Sequence, residues 1–312
     1  MQTRRKFIRE TGLGMAALLA ANPVVFASDA NDEVKKLTIL HTNDVHSRLE
    51  SFPMDGSANA GKAGVAPRAA LINKIRNEGN EVLLLDSGDI FQGTPYFNMF
   101  DGEPEIKAMQ MMGYEACTMG NHDFDAGLEN FHTKIRTHAK FPVVICNYDF
   151  RETVMEHSYV PYHIIKKGGL DIGITGVGIE LAGLVPDKLY GKTKYLDPIM
   201  EVNRTAHYLK KDKKCDFVIC LSHLGDRYAD NKVSDEIMAK ETENIDLILG
   251  GHTHRFFEAP REYQNKAGKK ILVNQVGWAG IKLGRLDYSF SRSRGQNLDN
   301  NQSLSVGKKE GE

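Results

Sequence analysis

Glu81-Val82-Leu83-Leu84-Leu85-Asp86-Ser87-Gly88-Asp89 is the stretch that decides the fold. An unbroken aliphatic run with no polar alternation reads as a strand buried on both faces, the pattern of sheets covered by helices. The Ser-Gly pair behind it lets the backbone turn tightly and leaves an aspartate just past the strand's carboxyl end. Working outward, residues 37–41 and 116–119 read as further strands. Residues 66–75 set Ala69, Leu71, Ile72 and Ile75 at helical spacing, and residues 105–112 read as a helix stopped by Gly113. Later strands are predicted over 142–146, 170–177, 217–221, 247–249, 271–276 and 281–290, with helices over 128–137, 199–209 and 235–241. Strands alternating with helices indicate a layered α/β architecture.

The chain of 312 residues is long enough for one large core, and its 41% hydrophobic and 26% charged content is that of a globular protein. A net charge of −1 offers no polybasic face for a nucleic-acid polymer or a membrane, so an anionic substrate must be attracted locally. No internal repeat or sustained heptad is present.

The first residues read as a leader. Arg4-Arg5 with Phe7 gives way to a mild apolar run from Leu13 to Ala21 and then Val25-Phe26-Ala27. A charged segment, a short apolar segment and a small-residue cleavage site in that order make residues 1–27 a twin-arginine signal peptide. This predicts a periplasmic or otherwise exported protein. The apolar run is too short to span a bilayer, so no stable membrane anchor is expected. Cys117, Cys146, Cys215 and Cys220 form no C-x-x-C pair, and apolar surroundings mark three of them as small buried hydrophobes. Residues 28–290 then form the catalytic domain, and residues 291–312, rich in Asn, Ser, Gln, Lys and Glu, read as a polar, disordered tail.

Five motifs each follow a predicted strand: Asp44-Val45-His46, Gly88-Asp89, Gly120-Asn121-His122-Asp123, Ser222-His223 and Gly251-His252-Thr253-His254. Ligands of open α/β sheets bind beyond the carboxyl ends of strands, where loops distant in sequence converge. Five of the eleven histidines fall inside these motifs. A lone strand-end Asp or His is ordinarily a turn residue, but the ordered set is not. Imidazole nitrogen and carboxylate oxygen suit zinc, manganese or iron. Asp44 and His46, like His252 and His254, are two apart, and an extended backbone would turn both of a pair to one side. Two dications held by the carboxylates of Asp44 and Asp89 would leave a centre of about +2, a receptor for a phosphate dianion without any basic patch.

The wording Leu40-His41-Thr42-Asn43-Asp44-Val45-His46, Gly88-Asp89-Ile90-Phe91-Gln92-Gly93, Gly120-Asn121-His122-Asp123-Phe124-Asp125 and Gly250-Gly251-His252-Thr253-His254 resembles the calcineurin-like metallophosphoesterases, and within them the bacterial 5′-nucleotidase branch. The resemblance covers residues 37–290. It implies a β-sandwich flanked by helices, layered α/β/β/α, with two divalent metal ions at the sheet edge. It implies Asp44, His46, Asp89 and His254 as ligands of one metal, and Asp89, Asn121, His223 and His252 as ligands of the other. His122 would be catalytic with Asp125 orienting it, a pairing their three-residue spacing permits. The implied mechanism is in-line attack on phosphorus by a hydroxide held between the metals, with His122 assisting the leaving group. Asp123 is expected to shape the loop, His41 to support the strand end, Phe91 and Gln92 to form the pocket rim, and Trp278 to pack in the core or at the rim.

In full-length enzymes of that branch a second domain supplies the aromatic clamp for the base and most phosphate-binding arginines. This chain ends about where that domain begins. Two expectations follow: a self-sufficient phosphoesterase acting on nucleotides, or the catalytic half of a split nucleotidase completed by a separate chain. The same centre could serve cyclic diesters, nucleotide sugars or sulfur esters. A metal-binding protein without catalysis would not need His122 and Asp125.

Overall fold

The computed structural model describes residues 33–293 and 295–307, so the expected leader lies outside the described residues. Two sheets pack face to face. The first contains β1 (Lys35–Thr42), β2 (Glu81–Asp86), β3 (Ala116–Cys117), β12 (Lys282–Ser291) and β13 (Gly295–Ser305), in the order β13-β12-β1-β2-β3. β1, β2 and β3 run parallel, and β12 and β13 complete the sheet antiparallel. The second contains β5 (Tyr162–Lys167), β6 (Leu170–Gly178), β8 (Phe217–His223), β9 (Leu247–Leu249), β10 (Arg261–Gln264) and β11 (Lys270–Asn274), in the order β10-β11-β9-β8-β6-β5. Its four central strands are parallel and its two edges antiparallel. A short ribbon of β4 (Tyr148–Asp149) and β7 (Lys194–Tyr195) lies apart.

The apolar run read from the sequence explains the layering. Leu83 and Leu85 of β2 join Ile39, Ile174, Ile219, Leu221, Leu247 and Leu286 in the core between the sheets. Val82 and Leu84, pointing the other way, join Ile72 and Ile75 of the helix Val65–Arg76 and Ile106 and Met109 of the helix Glu103–Met112. The second sheet's outer face is covered by the helices Pro198–His207 and Asp235–Glu241 through Val202, Ala206, Met238 and Ala239. Asp197 caps the first of these by accepting from the N–H of Ile199 and Met200, and Ser234 caps the second. This is the α/β/β/α arrangement expected.

Two expectations change. Residues 295–305 are not disordered: they form β13, paired over its length with β12. A polar strand needs no apolar face when it closes a hairpin, because the neighbouring strand satisfies its backbone and its side chains remain half in water. Residues 142–146 build no ladder. Val143 bridges Cys117, Val144 bridges Val160, and the N–H of Cys146 reaches the carbonyl of Gly176, so the segment crosses from one sheet to the other and changes partner at each step. All four cysteines are buried and free.

Candidate metal centre

The carboxyl ends of β1, β2, β3, β8 and β9 meet at one edge of the sandwich, and all five motifs leave from there. Five of the seven candidate ligands have left-handed backbone: Asp44 (φ 50°), His46 (49°), Asp89 (54°), His252 (67°) and His254 (53°). Non-glycine residues rarely adopt φ > 0, and such strain concentrates at functional sites. The two-apart pairs therefore do not point together through extended backbone, as their spacing had implied; alternating left-handed turns aim them.

The side chains gather into two groups, Asp44 with His46 and His254, and Asp89 with His223 and His252. In the first, His46 Nε2 lies 3.0 Å from His254 Nε2, which is 3.3 Å from Asp44 Oδ1. In the second, His223 Nε2 is 3.0 Å from Asp89 Oδ2, and His252 Nδ1 is 2.9 Å from Asn121 Oδ1. Asp89 Oδ2 is also 3.8 Å from His46 Nε2, so one carboxylate faces both groups.

His223 tests whether a cation fits. Its Nδ1 is 2.7 Å from the carbonyl oxygen of Ser87, an acceptor only, so Nδ1 carries hydrogen. Its Nε2 is buried without a hydrogen-bond partner. In the neutral ring that nitrogen turns a lone pair on the Asp89 carboxylate, an arrangement a metal ion between them resolves. Burial lowers the His223 pKa, but the Asp89 carboxylate outweighs it and pushes the value up to about 10, so a metal at this site displaces a proton. His46 repeats the pattern, with Nδ1 3.2 Å from the Phe91 carbonyl and Nε2 turned to the cluster. Burial lowers the pKa of His46, and burial followed by His223 lowers that of His252 to about 4, leaving both neutral and able to ligate.

His122 stands beside these groups. Its Nδ1 is 2.8 Å from Asp125 Oδ2 and its backbone N–H donates to Asp89 Oδ1 at 2.8 Å. The hydrogen bond to Asp125 raises its pKa against partial burial, which holds the ring protonated beyond its usual range.

The calcineurin-like phosphoesterase family matches residues 37–256. The chain belongs to that family. This phosphoesterase is similar to a snake venom 5′-nucleotidase of Gloydius brevicauda, 34% identical over 274 residues that cover 82% of this chain and 45% of the relative. It is similar to the 5′-nucleotidase of Vibrio cholerae, 33% identical over 284 residues, or 83% of this chain and 50% of the relative. Among solved structures, a 5′-nucleotidase precursor from Thermus thermophilus superposes with a TM-score of 0.77 at 29% identity, covering 87% of this chain and 55% of that one. The calcineurin-like phosphoesterase YfkN from Bacillus subtilis superposes with a TM-score of 0.72 at 25% identity, covering 88% and 92%. The chain spans about half the length of the curated relatives it matches. Family membership makes it a hydrolase acting on phosphate esters and implies divalent metals at the two groups.

The phosphoesterase frames this centre with residues of two kinds. Asp123 shapes the loop, as expected. Its Oδ1 accepts from the N–H of Ile90 (2.9 Å) and Phe91 (3.2 Å), and its Oδ2 from Gly120 (2.8 Å) and Asp89 (3.0 Å). Burial and the Asp89 charge push its pKa up to about 7 against those donors. His41 is a buried support whose Nε2 lies 2.8 Å from Asn274 Nδ2. Gly120 has no alternative: a Cβ there would collide with Asp89 Oδ1 and with the His223 ring.

A cavity of about 280 Å³ opens on the centre, lined by His46, Arg48, Gln92, Gly93, His122, His254, Trp278 and Ala279. Gln92 and Trp278 are rim residues as expected. Phe91 is not: it is fully buried against Phe97 and Phe131, because the turn after Ile90 sends its side chain to the core and only its carbonyl to the site. Three contributors went unread in the sequence. Asn43 donates to Asp44 Oδ2 and to the Gly277 carbonyl, both at 2.6 Å, and Gln275 holds the Gly251 carbonyl at 2.6 Å. Arg48 is the third. Polar Asn274-Gln275 closing an apolar strand was the available signal for the second.

Proposed function

We propose that this chain is an exported phosphoesterase with a dinuclear metal centre that hydrolyses nucleotide phosphate esters. The observation that carries the reading is the convergence of imidazole nitrogens on the Asp44 and Asp89 carboxylates, with the His122–Asp125 pair opening into the same cleft. The nucleotide part is supported by relatives named 5′-nucleotidases. Asp44, His46, Asp89 and His254 would hold one ion, and Asp89, Asn121, His223 and His252 the other. Bound there, two divalent ions supply an activated water and neutralise charge on the phosphoryl oxygens.

The chain's own residues do the rest. Ser87 and Phe91 carbonyls fix the tautomers of His223 and His46 so that Nε2 faces inward. Asp125 holds Nδ1 of His122, which leaves Nε2 to meet the substrate. A protonated His122 donates to the leaving alkoxide oxygen or to a phosphoryl oxygen, a contribution of roughly 10²–10⁴ in rate for a positioned acid. The test is a panel of phosphate monoesters, diesters and nucleotides assayed with single metals restored to chelated protein, alongside His122→Ala. Turnover should need metal, favour nucleotides, and fall in His122→Ala with both metals retained. Metal loss in that variant would make His122 a ligand, and turnover of a cyclic diester, nucleotide sugar or sulfur ester above any nucleotide would reassign the substrate.

The chain spans about half the length of the curated relatives it matches. The second reading adds a nucleotide-binding unit on a separate chain, completing base recognition. Copurification from native extracts and nucleotide kinetics with and without the recovered partner test it; full base selectivity from the isolated chain would refute it. Export rests on Arg4-Arg5 and the apolar run after it. Replacing both arginines with lysine should retain the protein in the cytoplasm, and unchanged fractionation would contradict the twin-arginine reading.

A further inference from the structure

Arg48 lines the cavity on the metal centre, on the same wall as Trp278. Its guanidinium lies over the ring of Phe52, 4.1 Å from the centroid. Phe52 is itself fixed: it meets Trp278 edge to face at 5.9 Å and packs on the small core of Ala63, Ala279 and Ile281. Trp278 in turn stacks on His254 at 6.1 Å with an interplanar angle of 16°. A continuous row of rings therefore runs from a candidate metal ligand to the platform beneath Arg48.

The platform holds the guanidinium by its face rather than through an ion pair. Three other arginines are held by carboxylates, Arg151 by Asp149, Arg261 by Asp226 and Arg285 by Glu78. Among the described residues Arg48 has no carboxylate at ion-pair distance, Glu50 acting on it only from farther away, and its Nε is buried without a hydrogen-bond partner. A guanidinium has five donors in a fork that matches phosphate. Placing one on an aromatic support inside a phosphoesterase cleft, with its donors unspent, preorganises it for an anion.

We infer that Arg48 binds a second anionic group of the substrate, next to the phosphoryl group under attack, as a nucleoside diphosphate presents. The inference rests on the phosphoesterase reading of the same centre and adds a specificity-determining residue to it. His122 already has Asp125 as counter-ion. Arg48, which has no carboxylate in ion-pair contact and feels Glu50 only from farther away, offers the charge that distinguishes a diphosphate from a simple monoester. In the reaction, a water oxygen bonds to the terminal phosphorus and the bond from that phosphorus to the bridging oxygen breaks. The electron pair leaves with the nucleoside monophosphate, and hydrogen phosphate and one proton are released. Arg48 neutralises the phosphate that becomes the leaving group.

The experiment compares metal-loaded wild type, Arg48→Ala and Arg48→Lys on a nucleoside diphosphate, a nucleoside monophosphate and p-nitrophenyl phosphate. Loss of a charge-assisted contact predicts a fall in kcat/KM of roughly 10- to 100-fold on the diphosphate for Arg48→Ala, with Arg48→Lys in between. The two substrates without a second anion should change less than about threefold. Equal losses on all three, or none on the diphosphate, overturn the inference. Calorimetry with methylenediphosphonate and inorganic phosphate separates this failure from failure of the nucleotide reading. Even if no nucleotide is turned over, wild type should bind the diphosphonate roughly 10-fold or more tighter than Arg48→Ala while binding phosphate alike. Unchanged diphosphonate affinity in Arg48→Ala, or in Arg48→Lys should the alanine variant not fold, sinks the inference.

Discussion

Asp123 ties together the two loops that carry Asp89 and His122, and replacing it with asparagine tests how much that tie contributes. The carboxylate accepts four backbone N–H groups, two on each oxygen. Asparagine keeps one oxygen, so two bonds survive and the amide NH₂ is forced against two N–H donors. Each buried donor left unmatched costs about 1–3 kcal/mol. Relief from burying a charge beside Asp89 offsets part of this, since that burial already pushes the Asp123 pKa up to about 7. The net expectation is a loss of roughly 2–3 kcal/mol for Asp123→Asn, and of about 4 kcal/mol or more for Asp123→Ala, in which every donor loses its acceptor. Urea unfolding in chelator measures this without any contribution from metal binding, and metal analysis of the reloaded protein reads the consequence for the centre. Both variants should also bind metal more weakly, because the Asp89 and Gly120 backbones are no longer clamped. An Asp123→Asn protein as stable as wild type within about 0.5 kcal/mol, with full metal content, would refute the clamp.

The remaining predictions concern the centre and its support. Asp89→Asn should lower occupancy at both metal positions together, since Oδ2 lies 3.0 Å from His223 Nε2 and 3.8 Å from His46 Nε2; loss of a single ion by metal titration would contradict the shared role. Asp125→Asn removes the main cause of the raised His122 pKa, so the protonated ring is lost at lower pH and the alkaline limb of the kcat profile moves acidward, with kcat down about tenfold or more. An unmoved limb would show that His122 does not act as the proton donor. His41 is buried and neutral, its pKa lowered by burial from 6.5 to about 3. The unfolded chain binds a proton there below about pH 6.5 while the folded one resists to about 3, so stability drains as pH falls through that window. His41→Gln should flatten the pH dependence of unfolding free energy between those limits, and an unchanged slope would show that this histidine does not carry it.

The readings that survived share a physical basis. Leu83-Leu84-Leu85 could be read because a strand with both faces covered needs apolar residues at every position, a local signature of a non-local fact. The opposite case is β13, whose Gln, Asn and Ser residues carry no such mark; its strand exists because β12 lies beside it. β5 and β10, half-exposed edge strands, were missed for the same reason. Residues 142–146 had the composition of a strand and lacked only a constant neighbour.

The centre divides along the same line. The sequence by itself determined which side chains could serve, because metal chemistry restricts donors to a few residue types and glycine-rich turns after strands mark where they leave the sheet. Only the tertiary structure decided how they are aimed. Left-handed turns at Asp44, His46, Asp89, His252 and His254 replace the extended pairs that spacing suggested, since backbone torsion at a loop is set by contacts across the fold. It also decided that Asp123 clamps two loops, that Phe91 turns inward, and that Arg48 lies over Phe52. An arginine two residues past a candidate histidine ligand has no distinguishing pattern in sequence. Its place over the Phe52 ring, in the wall of the cavity, is something only the folded chain can show.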